Sequence, residues 1–333
     1  MTILDQTPYA GLTPDLILGA VESTRLRASG SLIALHSYEN RVYQVGIEDQ
    51  TPIVAKFYRP GRWTDAAIQE EHDFIHDLAQ HEIPVVAPLA DTAGATLHHH
   101  AGHRFTLFPR RGGRWPELDN FDNLLRLGRT LGRIHAVGAV RPFLHRPVLT
   151  LAHFGTESLA FLLSHAFLPA HLEPRYRQGA EQVLEGVAAA YLRAGECQAI
   201  RLHGDCHLGN ILWADQGPHF VDFDDCRMGP AIQDLWMLLS GNRLERTTTL
   251  AELLAGYEEF YPFAPRELHL VEALRSLRMI HYSAWIARRW NDPAFPSNFP
   301  WFGTDSYWEQ QILALEEQLR LLDEPPLPVY GWT

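Results

Sequence analysis

Lysine is almost missing from this sequence: Lys56 stands alone beside 27 arginines. Cysteine is scarce too. Cys197, Cys206 and Cys226 are an odd count in 333 residues, too few for a disulfide framework, and they read as reduced thiols of a cytoplasmic protein. Long apolar runs are absent. The charge-free stretch Ser158 to Leu172 is interrupted by His165, Pro169 and His171, too short and too broken to span a bilayer. Met1-Thr2-Ile3-Leu4-Asp5 has neither the basic nor the apolar region of a signal peptide. Positive charge is in deficit, 28 − 40 = −12, which argues against a general binder of nucleic acid or anionic membrane. No solenoid period or low-complexity tract stands out. The expectation is a cytoplasmic monomer with no nucleic-acid or membrane partner.

What is present is ordinary globular material, 46% hydrophobic and 20% charged. A length near twice the usual ~150-residue domain suggests one large domain or two lobes. Thr13-Pro14 opens a short helix as N-cap and first helical residue. Arg41–Ile47 and Ile53–Tyr58 flank Glu48-Asp49-Gln50 and read as an antiparallel hairpin. The period of two sets Ile53, Ala55 and Phe57 on one face and Val54, Lys56 and Tyr58 on the other. A helix over 64–80 has Ile68, Phe74, Ile75 and Leu78 as its apolar stripe, with Glu71 at the centre of it. A carboxylate there needs a partner, because an unpaired buried charge is costly.

A further hairpin is expected over 95–109, with His98-His99-His100 in its loop as a solvated turn. Pro109-Arg110-Arg111-Gly112-Gly113-Arg114 then breaks all periodicity. Asp119 or Asn120 caps a helix carrying Leu124, Leu127, Leu131 and Ile134, and helical patterns follow over 174–194, 248–260, 266–289 and 305–322. Strand-like pieces return only near 199–202 and 219–223. A β-rich first third before a helical remainder predicts an α+β bilobal plan: an N-lobe over 1–109, a linker over 110–117, and a helical C-lobe over 118–333.

The chemistry concentrates in His203-Gly204-Asp205-Cys206-His207-Leu208-Gly209-Asn210 and in His219-Phe220-Val221-Asp222. Phosphoryl transfer asks for a carboxylate that takes the acceptor hydroxyl's proton, and for an amide and a second carboxylate that hold Mg²⁺ on the phosphates. Asp205, Asn210 and Asp222 suit those roles in type and order. Lys56, a compact ammonium that arginine does not replace, would pair with the ATP phosphates, and Glu71 would hold it.

These patterns resemble the protein-kinase-like fold, closer to its aminoglycoside phosphotransferase and choline kinase branch than to the eukaryotic one. Within that branch, Ser37-Tyr38-Glu39-Asn40-Arg41-Val42-Tyr43, Leu202 to His207 with Asn210 to Trp213, Gly229-Pro230-Ala231 with Gln233 to Leu239, and Arg288 to Pro296 with Pro300-Trp301 are similar to the bacterial stress response kinase A family (SrkA, also called RdoA or YihE). The resemblance covers nearly the whole chain. It implies a serine/threonine protein kinase using ATP and Mg²⁺, with a role in stress response. Asp205 is then the proton acceptor, Asn210 and Asp222 the metal ligands, Asp222 also counting as catalytic, and Ser37 lies in the loop over the phosphates. The chain departs from the eukaryotic pattern: no Gly-x-Gly-x-x-Gly precedes Lys56, Asp222-Phe223-Asp224 replaces Asp-Phe-Gly, and no Ala-Pro-Glu follows.

Rival readings use the same residues. Aminoglycoside, choline and homoserine kinases share the Asp and Asn spacing, so a small-molecule acceptor is the main alternative. A non-catalytic ATP-binding regulator would have no physical need of Lys56, Asp205, Asn210 and Asp222 together. A zinc site from His203, Asp205, Cys206 and His207 lacks a second ligand arm. Asp234 caps a helix or braces the catalytic loop, His203 is a packing and hydrogen-bonding residue, and Asp224 and Asp225 form a solvated turn or help place metal. Trp285, Trp290, Trp301 and Trp308 are core, or a wall on the substrate side.

Overall fold

The computed structural model describes residues 8–330; the N-terminal pentapeptide read above for a leader lies outside them. The chain folds as two units. Of the described residues, one unit holds 8–116 with Phe143–Arg146 and Gly209–Cys226, and the other holds Glu117–Pro142, Pro147–Leu208 and 227–330.

The first unit opens with α1 (Pro14–Glu22), where Thr13 Oγ1 accepts from Leu16 N at 3.3 Å. Then come β1 (Ala28–Leu35), β2 (Arg41–Ile47), β3 (Ile53–Phe57), α2 (Asp65–Gln80), β4 (His98–His100) and β5 (His103–Pro109). The five strands form one antiparallel sheet in the order β1-β2-β3-β5-β4. β1 escapes a pattern search because Ser29-Gly30-Ser31 hides its extended character, and as an edge strand it buries little. His98–His100 are paired strand residues, with His100 opposite His103, so the solvated-turn reading of these histidines is corrected. Ile53, Ala55 and Phe57 join Ile17, Val45, Phe105 and Leu107 in a core between the sheet and α1. Alternation then aims Lys56, paired with Val42 and Thr106 in register, at the opposite face.

The second unit begins with α3 (Phe121–Gly138), capped by Asn120. A π-helical turn at Ala152–Thr156 runs directly into α4 (Glu157–Ser164), and α5 (Glu173–Ala194) and β6 (Ile200–Leu202) follow. The chain returns to the first unit for the hairpin of β7 (Ile211–Ala214) and β8 (Gly217–Phe220). Back in the second unit, β9 (Arg227–Gly229) pairs with β6 ahead of α6 (Gln233–Trp236), α7 (Arg243–Tyr257), α8 (Val271–Arg288), α9 (Ala294–Asn298) and α10 (Asp305–Asp323). α7 starts earlier than expected because Asn242 and Glu245 form a capping box. The pattern over 266–289 divides into a 3-10 turn at Pro265–Leu270 and α8.

Where α3 crosses α7, a Cβ on Gly128, Gly132 or Gly256 would strike the backbone oxygen of Leu253, Tyr257 or Leu125 respectively. Glycine at these three positions lets the two helix backbones touch. That closeness brings Tyr257 against His135 near the C-terminal end of α3, hydroxyl to Nδ1 at 2.7 Å.

Candidate active site

In the first unit, Lys56 is the hub of a buried ionic web. Its Nζ lies 3.3 Å from Glu71 Oε1 on α2, 3.2 Å from Asp222 Oδ1 and 3.2 Å from Asp224 Oδ1, and the side chain is 6% exposed. Burial works against its charge, but Asp224, Glu71 and Asp222 outweigh burial and raise its pKa well above the ordinary lysine value. Glu71 is the counterpart: burial raises its pKa against the opposing pull of Lys56 and Arg146. Its second oxygen accepts from Arg146 Nη2 at 2.6 Å. The arginine also reaches the backbone oxygens of Ala67 at 2.7 Å and Asp224 at 2.6 Å. The buried carboxylate that the helical stripe singled out therefore has two cations.

Asp224 is no solvated turn residue. It is 3% exposed, pairs with Lys56 and Arg62, and accepts from Asn40 Nδ2 at 3.1 Å. Burial raises its pKa, yet Arg62 and Lys56 prevail and hold it at about 2. Arg62 also takes Asp225 at 2.8 Å. In the turn between β1 and β2, Ser37 Oγ donates to Asn40 O at 3.1 Å, and Asn40 Oδ1 accepts from Arg59 N, just past β3, at 3.1 Å. That joins the proposed phosphate-covering turn to Asp224.

The β7–β8 hairpin sets Ile211 opposite Phe220, and Val221 N donates to Asn210 O at 3.0 Å, so Asn210 and Asp222 leave the hairpin side by side. Asp222 adopts a left-handed backbone, φ 58°, unusual for a side-chain-bearing residue at the end of a strand. Its side chain is 55% exposed. A carboxamide and a carboxylate are hard oxygen donors, and Mg²⁺ is typically held by one or two protein oxygens plus phosphates and water, so this donor set fits that ion. Among the described residues, no three His, Cys, Asp or Glu side chains converge as a metal cage. The His203–His207 run forms no zinc site of that kind.

The second unit carries Asp205. Its Oδ1 lies 2.5 Å from Arg278 Nη1 on α8 and its Oδ2 lies 3.4 Å from His207 Nε2, with the side chain 23% exposed. Burial raises its pKa, but Arg278 and His207 together overcome this and hold the carboxyl well below the usual carboxylate range. The backbone around it is pinned from beneath. Asp234 on α6 accepts from His203 N at 2.7 Å and Gly204 N at 2.8 Å, Gln233 Nε2 donates to Gly204 O at 3.0 Å, and Asp205 N donates to His203 Nδ1 at 3.3 Å. Asp234 braces the loop rather than capping a helix, and His135 Nε2 faces it at 3.1 Å. Glu267 in turn accepts from Ile232 N, just before α6, at 2.9 Å; burial pushes its pKa up to about 7. Burial also raises the Cys206 thiol, so it is a packing residue. Trp308 is core against Tyr176, while Trp285 and Trp301 reach the surface.

Arg62, Arg146, Glu267 and Arg278 went unnoticed in the sequence, and Asn40 was seen only as part of the turn over the phosphates. None repeats at a helical or strand period, and each acts on a partner far away in the chain. For Arg278 a faint signal exists: it falls on a face of α8 that carries Tyr282 and Trp285 rather than aliphatics.

A lysine on a sheet held by a helical glutamate, with an Asp, Asn and Asp series on the following segments, is the arrangement of protein-kinase-like phosphotransferases. The model of the phosphotransferase enzyme family (APH) matches residues 31–271. Over 97% of this chain and 98% of theirs, the sequence is 45% identical to stress response kinase A of Salmonella paratyphi A and 44% identical to serine/threonine protein kinase RdoA of Salmonella typhimurium. The chain belongs to the phosphotransferase enzyme family and, within it, to the stress response kinase A family. Among solved structures, amicoumacin kinase in complex with AMP-PNP, Ca²⁺ and Ami superposes with a TM-score of 0.69, covering 92% of this chain and 93% of that one at 20% identity. That shared fold is α+β and protein-kinase-like. Among the described residues no helix is long and apolar enough to cross a membrane.

Proposed function

We propose that this chain is an ATP- and Mg²⁺-dependent serine/threonine protein kinase that acts in stress response, as the names of its relatives suggest. In the reaction, the acceptor hydroxyl oxygen attacks the γ-phosphorus of ATP. The bond from that phosphorus to the β-phosphate oxygen breaks, ADP leaves, and the hydroxyl proton passes to the Asp205 carboxylate and on to water. Lys56, fixed by Glu71, supplies a point charge for the phosphates. Mg²⁺, held by Asn210 and Asp222, would supply further neutralisation of phosphate charge. Asp234, Gln233 and His203 hold the backbone that orients Asp205.

The observation that favours a protein hydroxyl over a small cationic acceptor is the Arg278 guanidinium 2.5 Å from Asp205. Choline and aminoglycosides are cations, and the Arg278 guanidinium already occupies the carboxylate oxygen that such a cation would pair with. The test is purified protein with γ-labelled ATP and Mg²⁺. Phosphoserine or phosphothreonine is expected with the wild type and not with Asp205→Ala. Label that enters choline, an aminoglycoside or homoserine while no protein is labelled would overturn the reading.

A further inference from the structure

Near the C-terminal end of α3, a chain of buried hydrogen bonds runs toward the loop that carries Asp205 and ends on its backbone. It lies wholly within the second unit. Tyr257 on α7 meets His135 on α3, hydroxyl to Nδ1 at 2.7 Å, and His135 Nε2 lies 3.1 Å from Asp234 Oδ2. The same carboxylate oxygen accepts from His203 N, and Oδ1 accepts from Gly204 N. Tyr257, His135 and Asp234 are each 0% exposed, so bulk water cannot replace a lost partner. The direction of donation follows from the groups themselves. A carboxylate only accepts, so Nε2 carries the imidazole hydrogen. Burial, and after it Glu267, pushes the Tyr257 pKa above the ordinary tyrosine range. The phenol therefore keeps its hydrogen and gives it to Nδ1, which sets His135 as the Nε2–H tautomer. In such a chain each bond polarises the next.

A second link ties the same helix end to the same loop. Arg201 on β6 is 3% exposed and donates through Nη2 to Val137 O, a carbonyl in the last turn of α3, at 2.9 Å. Gly138 lies so close to Arg201 O that a Cβ would strike it. β6 ends at Leu202, and His203 opens the loop. The last turn of α3 thus holds the strand that feeds the loop and, through Asp234, the loop itself. Resting on the reading of Asp205 as proton acceptor, we propose that His135 and Tyr257 are positioning residues for phosphoryl transfer. Tyr257 fixes the imidazole, His135 fixes the Asp234 carboxylate, and that carboxylate fixes the two peptide N–H groups just ahead of Asp205. Because the chain ends at the proton acceptor, its loss slows transfer and leaves ATP affinity as it is.

Transfer from γ-labelled ATP to a serine peptide library, or to the choline or aminoglycoside that the wild type labels instead, is measured for wild type, Tyr257→Phe, His135→Gln, His135→Asn and Asp205→Asn. A glutamine amide nitrogen reaches the position of Nε2 and donates to Asp234, whereas an asparagine amide ends at the position of Nδ1 and does not. His135→Asn is expected to lower kcat by up to about 10²-fold, the scale for a reacting group misplaced by about 1 Å, with the KM for ATP unchanged. His135→Gln is expected to restore most of that loss. Tyr257→Phe removes a single oxygen atom and should lower kcat about fivefold, the net worth of one hydrogen bond. It should add nothing on the His135→Asn background, because both act through one chain. Wild-type kcat in Tyr257→Phe and in folded His135→Asn, or equal losses in His135→Gln and His135→Asn, would overturn the positioning role and leave the kinase reading standing. Transfer by Asp205→Asn at the wild-type rate would bring down the kinase reading and the positioning role with it.

Discussion

The two constellations treat their carboxylates in opposite ways. Around Lys56, Glu71 and Asp224 are almost wholly buried and each meets two cations. At Asp205 the carboxylate stays partly open, facing Arg278 and His207, whose own side chains are 40% and 42% exposed. Buried charge that loses one partner becomes costly, whereas half-exposed charge is screened and its partners can be moved aside. On the proposed function, the first arrangement would give a rigid cradle for phosphates that are the same in every turnover, and the second would let a proton acceptor admit a different oxygen each time.

The sharpest way to break this comparison is to neutralise one carboxylate on each side. Asp224→Asn should destabilise by about 3–5 kcal/mol, since Lys56 and Arg62 keep their charge without its counterweight, and ATP affinity should fall with it; urea melts alongside ATP titrations show whether both losses occur. Asp205→Asn should destabilise less than Asp224→Asn, because its pairs are partly exposed and screened, while lowering phosphoryl transfer by about 10²–10⁴-fold, the usual scale for a lost general base. Equal destabilisation by the two variants would erase the distinction.

A pH series sharpens it further. The folded pKa of Glu267, about 7, lies above its ordinary value of 4.5 because of burial. Its contribution is therefore fully present below pH 4.5 and is lost as pH rises through 7. Glu267→Gln should gain stability relative to wild type across that window, by up to about 3 kcal/mol at one pKa unit per 1.36 kcal/mol. Urea unfolding of both proteins at pH 4.5 and 7.5 reads the difference directly, and parallel curves would contradict it. The smallest effect is expected at Gly132→Ala. A Cβ there meets the backbone oxygen of Tyr257, so overpacking should cost about 1–3 kcal/mol. By shifting Tyr257 from His135 it should also lower kcat more than it raises the KM for ATP, which steady-state kinetics would show.

Lys56 was legible because its face follows from strand alternation, and Glu71 because a carboxylate in an apolar stripe demands a partner. The helices α1, α2, α3, α5, α7, α8 and α10 were readable from periodicity and capping residues, while the short α4, α6 and α9 were not. β1 was not, since its Ser-Gly run carries no alternation, and β7 and β9 are too short for a pattern. Asp224 looked like a wet turn because three acidic or polar neighbours suggest solvent; its burial depends on Arg62 and Arg146, which are 162 and 78 residues away in the chain. Long-range pairing of that kind leaves no local trace. Trp285, Trp290, Trp301 and Trp308 were legible as core or a substrate-side wall, while the pairing of Arg278 with Asp205, 73 residues away in the chain, is hidden in the same way.

The most direct test of the account pairs equilibrium ATP binding with single-turnover transfer in Asp205→Asn and Lys56→Arg. The account predicts that Asp205→Asn binds ATP as the wild type does and transfers poorly, while Lys56→Arg loses ATP affinity because the guanidinium fork does not reproduce a buried point charge. Weakened ATP binding in Asp205→Asn with unchanged transfer from the bound complex, or wild-type behaviour in Lys56→Arg, would contradict it.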